Sequence, residues 1–192
     1  MNGTKARLVD VSAGLFQRRG LAATGIKEIL AEAQAPFSSL YHHFPGGKDE
    51  LAEAAIRSSG MQYQALVEEV WDGQDDVISS IAAVFDGASQ TLEATNFVEA
   101  CPIAVIALEV ASTNDQLRTA TAEVFEAWIM AASQRLISAD IATDDAGRLA
   151  LSIICLIEGA FVLSQAMKST EPMRSARDTA LRAISDLLTT SA

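Results

Sequence analysis

This chain of 192 residues is poor in the groups that carry out covalent chemistry. It has two histidines, His42 and His43. Adjacent on one short helix, they cannot both face one metal ion, and no Cys or carboxylate stands at ligand spacing beside them. The two cysteines, Cys101 and Cys155, sit in apolar company and are expected as buried, reduced thiols. A nucleophile elbow, a Walker lysine loop, a dinucleotide glycine fingerprint and an H-E-x-x-H zinc motif are all missing. The expectation is no enzyme, with no catalytic residue, no metal and no cofactor. Prolines number four, and windows rich in Val, Ile and Thr are few, which argues against a β fold and for an all-α one. Met1 to Arg7 leads into an amphipathic pattern and not into the apolar core of a signal peptide, so a cytoplasmic protein is expected. The apolar run from Leu149 to Met167 contains Glu158 and Gln165 and is read as a buried helix, not a membrane span.

Apolar residues are plentiful. At 49% hydrophobic and 20% charged, the chain suits a packed globular protein and not a disordered one. The net charge is −11, which by itself speaks against nucleic acid. Its distribution is uneven. Residues 1–60 hold seven basic against six acidic side chains, a net of +1, and the remainder carries −12. An acidic body repels DNA everywhere except at an intended surface.

The most informative stretch is A-Q-A-P-F-S-S-L-Y-H-H-F-P-G-G-K-D-E-L, from Ala33 to Leu51. Pro36 suits the first turn of a short helix, and Phe44-Pro45-Gly46-Gly47 stops it. At ~100° per residue, Leu40, Tyr41 and Phe44 share one side and Ser38, Ser39, His42 and His43 the other. A helix of two turns cannot stand alone in water. It must be docked on other helices, with a small polar face turned outward.

Around it the pattern is helical throughout. Residues 4–19 carry Leu8, Val11, Leu15 and Phe16 at helical spacing, with Gly20 as the terminating residue. Thr24 is the expected N-cap of a second helix lined by Ile26, Ile29, Leu30 and Ala33. A fourth helix runs from Lys48 to about Trp71, with Leu51, Ala55, Met61, Leu66 and Val70 inside. Further helices are expected over Val77–Leu92, from Pro102 to near Ser112, after a Thr113-Asn114-Asp115 cap with a stripe from Leu117 to Leu136, over about 144–168, and over about 172–189.

The ordered motif L-Y-H-H-F-P-G-G-K-D-E-L, preceded by G-L-A-A-T-G-I-K-E-I-L-A-E-A, resembles the helix-turn-helix of the TetR family of bacterial transcriptional regulators. A-P-x-x-S-L-Y-H-H-F-P-G-G-K resembles more narrowly the branch that includes LmrA and YxaF, as does C-P-I-A-V-I-A-L-E-V-A at residues 101–111. The resemblance implies an N-terminal three-helix DNA-binding domain (1–47) and a C-terminal helical domain (48–192) for ligand binding and dimerisation. It implies double-stranded operator DNA and a second copy of the chain as partners. The activity implied is a repressor released from a palindromic operator by a small hydrophobic or aromatic effector. An activator, or a regulator answering to a protein partner, is the alternative.

Site residues follow from that resemblance. Thr24, Gly25 and Lys27 stand where the second helix meets phosphate. Phe37, Ser38 and Ser39 are placed to read base edges, with Phe37 either touching a thymine methyl or packing against the first helix. Tyr41, His42, His43 and Lys48 are phosphate or base contacts. The chain departs from the family pattern at Gln34 and Ser38, where Gly is common, and at Phe37, where a polar or basic residue is common. The Gln34 departure is expected to strain or re-angle the turn. For the effector, Met61, Phe85, Phe125, Trp128, Cys155 and Phe161 are candidate lining, and Glu158 is the candidate polar contact or else half of an ion pair. The nearly all-round apolar helix at 148–168 and the last helix are the expected dimer bundle.

Overall fold

The computed structural model describes residues 3–99 and 101–190. Residues 1–2, 100 and 191–192, which the expected domains include, lie outside the described residues. Among those described there are nine α-helices and no strand: α1 (Thr4–Arg19), α2 (Ile26–Glu32), α3 (Phe37–His43), α4 (Lys48–Asp72), α5 (Val77–Ala94), α6 (Ala104–Val110), α7 (Asp115–Ser138), α8 (Thr143–Met167) and α9 (Glu171–Thr190). The all-α expectation holds, and the helix limits follow the start and stop signals. Gly20 ends α1 at φ +82°, its N–H bonded to the Phe16 carbonyl at 2.8 Å. Pro36 and Phe44 bracket α3. One cap differs: α2 is entered from Gly25 in extended backbone, not from Thr24. Thr24 is buried, and its hydroxyl donates to the Gly20 carbonyl at 2.7 Å.

Contacts divide the chain into two compact units. One unit comprises Met1–Tyr63 and Cys101–Val124, that is α1 to α3, most of α4, α6 and the start of α7. Its core is Leu8, Leu15 and Phe16 of α1, Ile29 and Leu30 of α2, Leu40 and Phe44 around α3, and Leu51, Ala52, Ala55 and Ile56 of α4. Gly60 of α4 abuts Val124 of α7 so closely that a Cβ there would lie 2.6 Å from its Cγ1. Polar pairs tie the same two helices together: Asn114 Nδ2 donates to Asp49 at 3.0 Å, Gln116 Nε2 to Glu53 at 2.7 Å, and Arg57 to Glu123 at 2.6 Å. The bond from Gln116, then that from Arg57, holds the Glu53 carboxyl below the usual carboxylate range. The bonds to Glu123 and Glu53 push the Arg57 guanidinium higher still.

The other unit comprises Gln64–Ala100 and Phe125–Ala192. Here α5, α8 and α9 pack on one another through Ile81, Phe85 and Leu92, through Ile153, Ile157 and Phe161, and through Met173, Ala180 and Ile184. Asp76 caps α5, accepting from the Ser79 N–H at 2.9 Å and its hydroxyl at 2.8 Å.

Three interior assignments need correction. Met61 and Leu66 of α4 are exposed. The buried arc of that helix is Leu51, Ala52, Ala55, Ile56 and Gly60, and at ~100° per residue Met61 falls beyond its edge. Cys155 is likewise exposed, although Cys101 is buried as expected. The reason lies in α8, which is not covered on all sides by its own chain. Ala146, Leu149, Ala150, Ile153, Ile157, Ala160, Phe161 and Ser164 face inward, whereas Leu151, Cys155, Val162, Leu163 and Met167 face out. By length and composition α8 could cross a membrane, a test that core helices of globular proteins also pass.

Candidate nucleic-acid interface

The site is α3 and what holds it. Leu40 and Phe44 are the anchors, both essentially inaccessible. Beside them Phe37 is 58% and Tyr41 47% exposed; away from them Ser38 and His42 are exposed and Ser39 and His43 partly so. Phe37 is therefore not buried against α1, which leaves its ring open to a partner. Tyr41 straddles the two faces, half-exposed beside the anchors. The Phe37 and Tyr41 rings, one helical turn apart, lie 5.5 Å centroid to centroid at 53°. Paired in this way they shield each other, which restrains two large side chains at the surface. His42 and His43 make an edge contact at 4.8 Å.

The α2–α3 turn has the geometry that its sequence makes costly. Gln34 adopts φ +48°, the left-handed conformation that favours Gly. The Ala35 N–H reaches back to the Leu30 carbonyl at 2.9 Å, and the Gln34 N–H to Ala31 at 3.2 Å. Such back-bonding closes the end of a helix around a left-handed residue. The left-handed conformation of Gln34 is the strain expected at that position. After α3, Gly47 takes φ +71° and the Gly46 N–H donates to Glu50 at 2.7 Å, so the first turn of α4 fixes the chain leaving the site.

Charge on this surface is mostly spent internally. Arg18 pairs with Glu32 at 3.5 Å and Arg19 with Glu28, binding α1 to α2. Arg7 Nε donates to the Ala33 carbonyl at 3.3 Å, and the Lys5 ammonium lies 5.4 Å from the centre of the Phe44 ring. Lys48 Nζ donates to the Leu21 carbonyl at 2.7 Å, so one of its three N–H bonds holds the α1–α2 loop. Lys27 and Gly25 are exposed at the start of α2, whereas the Thr24 side chain is turned inward. Reasoning from the sequence alone missed a further member. Glu109 of α6, 87 residues away, accepts the Ala22 N–H at 2.7 Å. The only hint was a carboxylate near the end of an otherwise apolar short helix.

The residues expected around an effector are scattered differently. Phe85, Trp128 and Phe161 are buried, Phe125 and Glu158 partly so, and the Phe125 and Trp128 rings meet edge to face at 5.6 Å. Met61, at 67% exposure, and Cys155 are surface positions and not interior lining. Among the described residues no group of three or more His, Cys, Asp or Glu is arranged to hold a metal ion.

Comparison with known proteins agrees with this geometry. Residues 8–55 match the family of bacterial regulatory proteins called the tetR family. Residues 77–179 match the family described as transcriptional regulator LmrA/YxaF-like, C-terminal domain. The HTH-type transcriptional regulator YxaF of Bacillus subtilis is 30% identical over 170 residues, 88% of this chain and 89% of that one. Rv0196, an HTH-type transcriptional regulator of Mycobacterium tuberculosis, is 33% identical over 178 residues, 90% of each. The crystal structure of a TetR transcriptional regulator from Chloroflexus aurantiacus superposes with a TM-score of 0.80 at 28% identity, covering 95% of this chain and 94% of that one. With a helix-turn-helix at one end and an LmrA/YxaF-like helical region over most of the rest, the chain belongs to the TetR family of DNA-binding transcriptional regulators and is not an enzyme.

Proposed function

We propose that this regulator is a homodimeric repressor which leaves a palindromic operator when a small hydrophobic or aromatic molecule binds its body. The observation that carries the DNA-reading part is the outer face of α3. Two exposed aromatic rings and exposed polar residues stand on a helix pinned from behind by Leu40 and Phe44. In this reading residues 1–47 are the reading head and residues 48–192 the pairing and sensing body. Phe37, Ser38 and Ser39 meet base edges, Phe37 by apolar contact with a thymine methyl. Tyr41, His42 and His43 reach phosphate, as do Lys27 and the backbone at Gly25. Thr24 serves by shaping the loop, and Lys48 has two N–H bonds left for DNA after its bond to Leu21.

Pairing is supported by α8. Leu151, Val162, Leu163 and Met167 form an outward apolar face that a single copy leaves in water, and a twin helix is the cover of matching chemistry. Two heads then fall in successive major grooves about one helical turn apart. For the effector, Phe85, Phe125, Trp128 and Phe161 are the proposed apolar neighbours and Glu158 the polar one. The ligand acts only by favouring a state in which the heads fit DNA poorly.

The test is a gel-shift and fluorescence titration against the DNA upstream of the chain's own gene. Tight binding that needs a palindrome and is reversed by a lipophilic compound is expected. Binding without sequence preference, or a monomer at working concentration, overturns the reading.

A further inference from the structure

The geometry points to Glu109 as a positioning residue for DNA binding: its carboxylate latches the loop between α1 and α2 to α6. The inference rests on the DNA-reading role above. The loop at residues 20–24 is short and held at several of its polar backbone atoms. Gly20 N–H bonds to Phe16, the Gly20 carbonyl accepts from the Thr24 hydroxyl, and the Leu21 carbonyl accepts from Lys48 of α4. A further donor, the Ala22 N–H, goes to Glu109 Oε2 at 2.7 Å. The other carboxylate oxygen fills the space beside Gly20, where a Cβ would collide with it. Gly20 is thus required twice, for its backbone at φ +82° and for the approach of this side chain.

Within α6 the carboxylate has no local reason to be there. It stands in the last turn of the helix, where the dipole disfavours a negative charge, and an anion so close to the reading head opposes a polyanionic partner. A residue that breaks two local rules is explained by what it holds. Its neighbours fix its direction: Ile106 and Val110 are buried, while Leu108 is exposed. A charge-assisted bond to a backbone N–H is strong for its kind. The loop it fixes runs directly into Gly25 and the start of α2, so α6 sets where the first helix of the reader begins. Losing the bond lowers the population of heads in the reading conformation and weakens binding by that fraction.

The experiment uses the full chain and a fluorescent duplex from the DNA upstream of its gene. Glu109→Ala is expected to weaken binding by about fivefold or more, the lower end of ordinary coupling between sites. Glu109→Gln, which keeps an acceptor oxygen for Ala22, is expected to stay within about threefold of wild type. The sign is diagnostic. Deleting an anion beside DNA by itself strengthens binding, so weaker binding of Glu109→Ala reports release of the loop and not loss of charge. Amide exchange at residues 20–24, faster in Glu109→Ala than in wild type, reads the latch without DNA. Unchanged or tighter binding of Glu109→Ala, or unchanged exchange, overturns the latch while wild-type binding stands. Wild type that binds no such duplex overturns the DNA-reading role instead, and the latch with it. Should Glu109→Ala fail to fold, binding by Glu109→Gln as weak as that of a non-binding control also overturns it, since the acceptor is then present and insufficient.

Discussion

At the scale of single residues, the head combines a strained turn with an exposed pair of rings. Gln34 keeps the left-handed conformation that a glycine would adopt with less strain. Gln34→Gly should therefore raise stability, by about 1 kcal/mol after the added freedom of the unfolded chain is subtracted. Chemical denaturation would read this as a higher midpoint at unchanged slope. Phe37 is the opposite case. Its ring buries little in the fold, so Phe37→Ala should leave the melting temperature within a degree or two yet weaken operator binding about tenfold, as loss of a base contact does. Equal affinity of the two proteins in an anisotropy titration would remove Phe37 from the interface. The sequence carried much of this. Pro36, Leu40 and the Phe44-Pro45-Gly46-Gly47 stop define α3, and Gln34 marked the turn. Tyr41, at the edge of the anchoring side, straddles the two faces and is half-exposed. Glu109 was invisible because a contact across 87 residues leaves no local pattern.

Among the helices, periodicity located each rod better than it assigned the inward side. For α4 and α8 the apolar content exceeds what one chain covers, so composition named too many residues as interior. Gly60 shows the contact that does matter in α4. Gly60→Ala places a methyl against Val124 and should destabilise the fold by roughly 1–3 kcal/mol, despite the better helix propensity of Ala. A thermal melt measures it. On α8, Val162→Asp should produce a folded monomer that binds operator poorly. Sedimentation and circular dichroism together separate that outcome from unfolding. The cap of α5 supplies a pH dependence. The Ser79 N–H and then its hydroxyl hold the Asp76 carboxyl below the usual carboxylate range. A depressed value means stability that is full above the unfolded value of ~3.9 and lost as pH falls through the folded one. Asp76→Ala should melt lower than wild type at neutral pH, and the gap should close in acid.

For the molecule as a whole, charge decides how DNA is found. The chain beyond residue 60 carries −12 against +1 before it, and Arg18 and Arg19 of the head are engaged with Glu32 and Glu28. Few cations remain to displace counterions. Affinity should fall with salt along a shallow line, with a log–log slope no steeper than about −6 for a pair of heads. A steeper slope would mean that these ion pairs open on DNA. Gly159 carries a separate consequence. It lies on the outward side of α8 between Cys155 and Val162, and a Cβ built there meets no atom of its own chain within 4 Å. Alanine at this point suits a lone rod better than glycine does, by about 1 kcal/mol. In the proposed pair the same methyl would wedge the crossing rods apart and lengthen the stride between the two reading ends. One carbon atom could thereby retune which half-site separation the regulator prefers while leaving every base-facing group as it was.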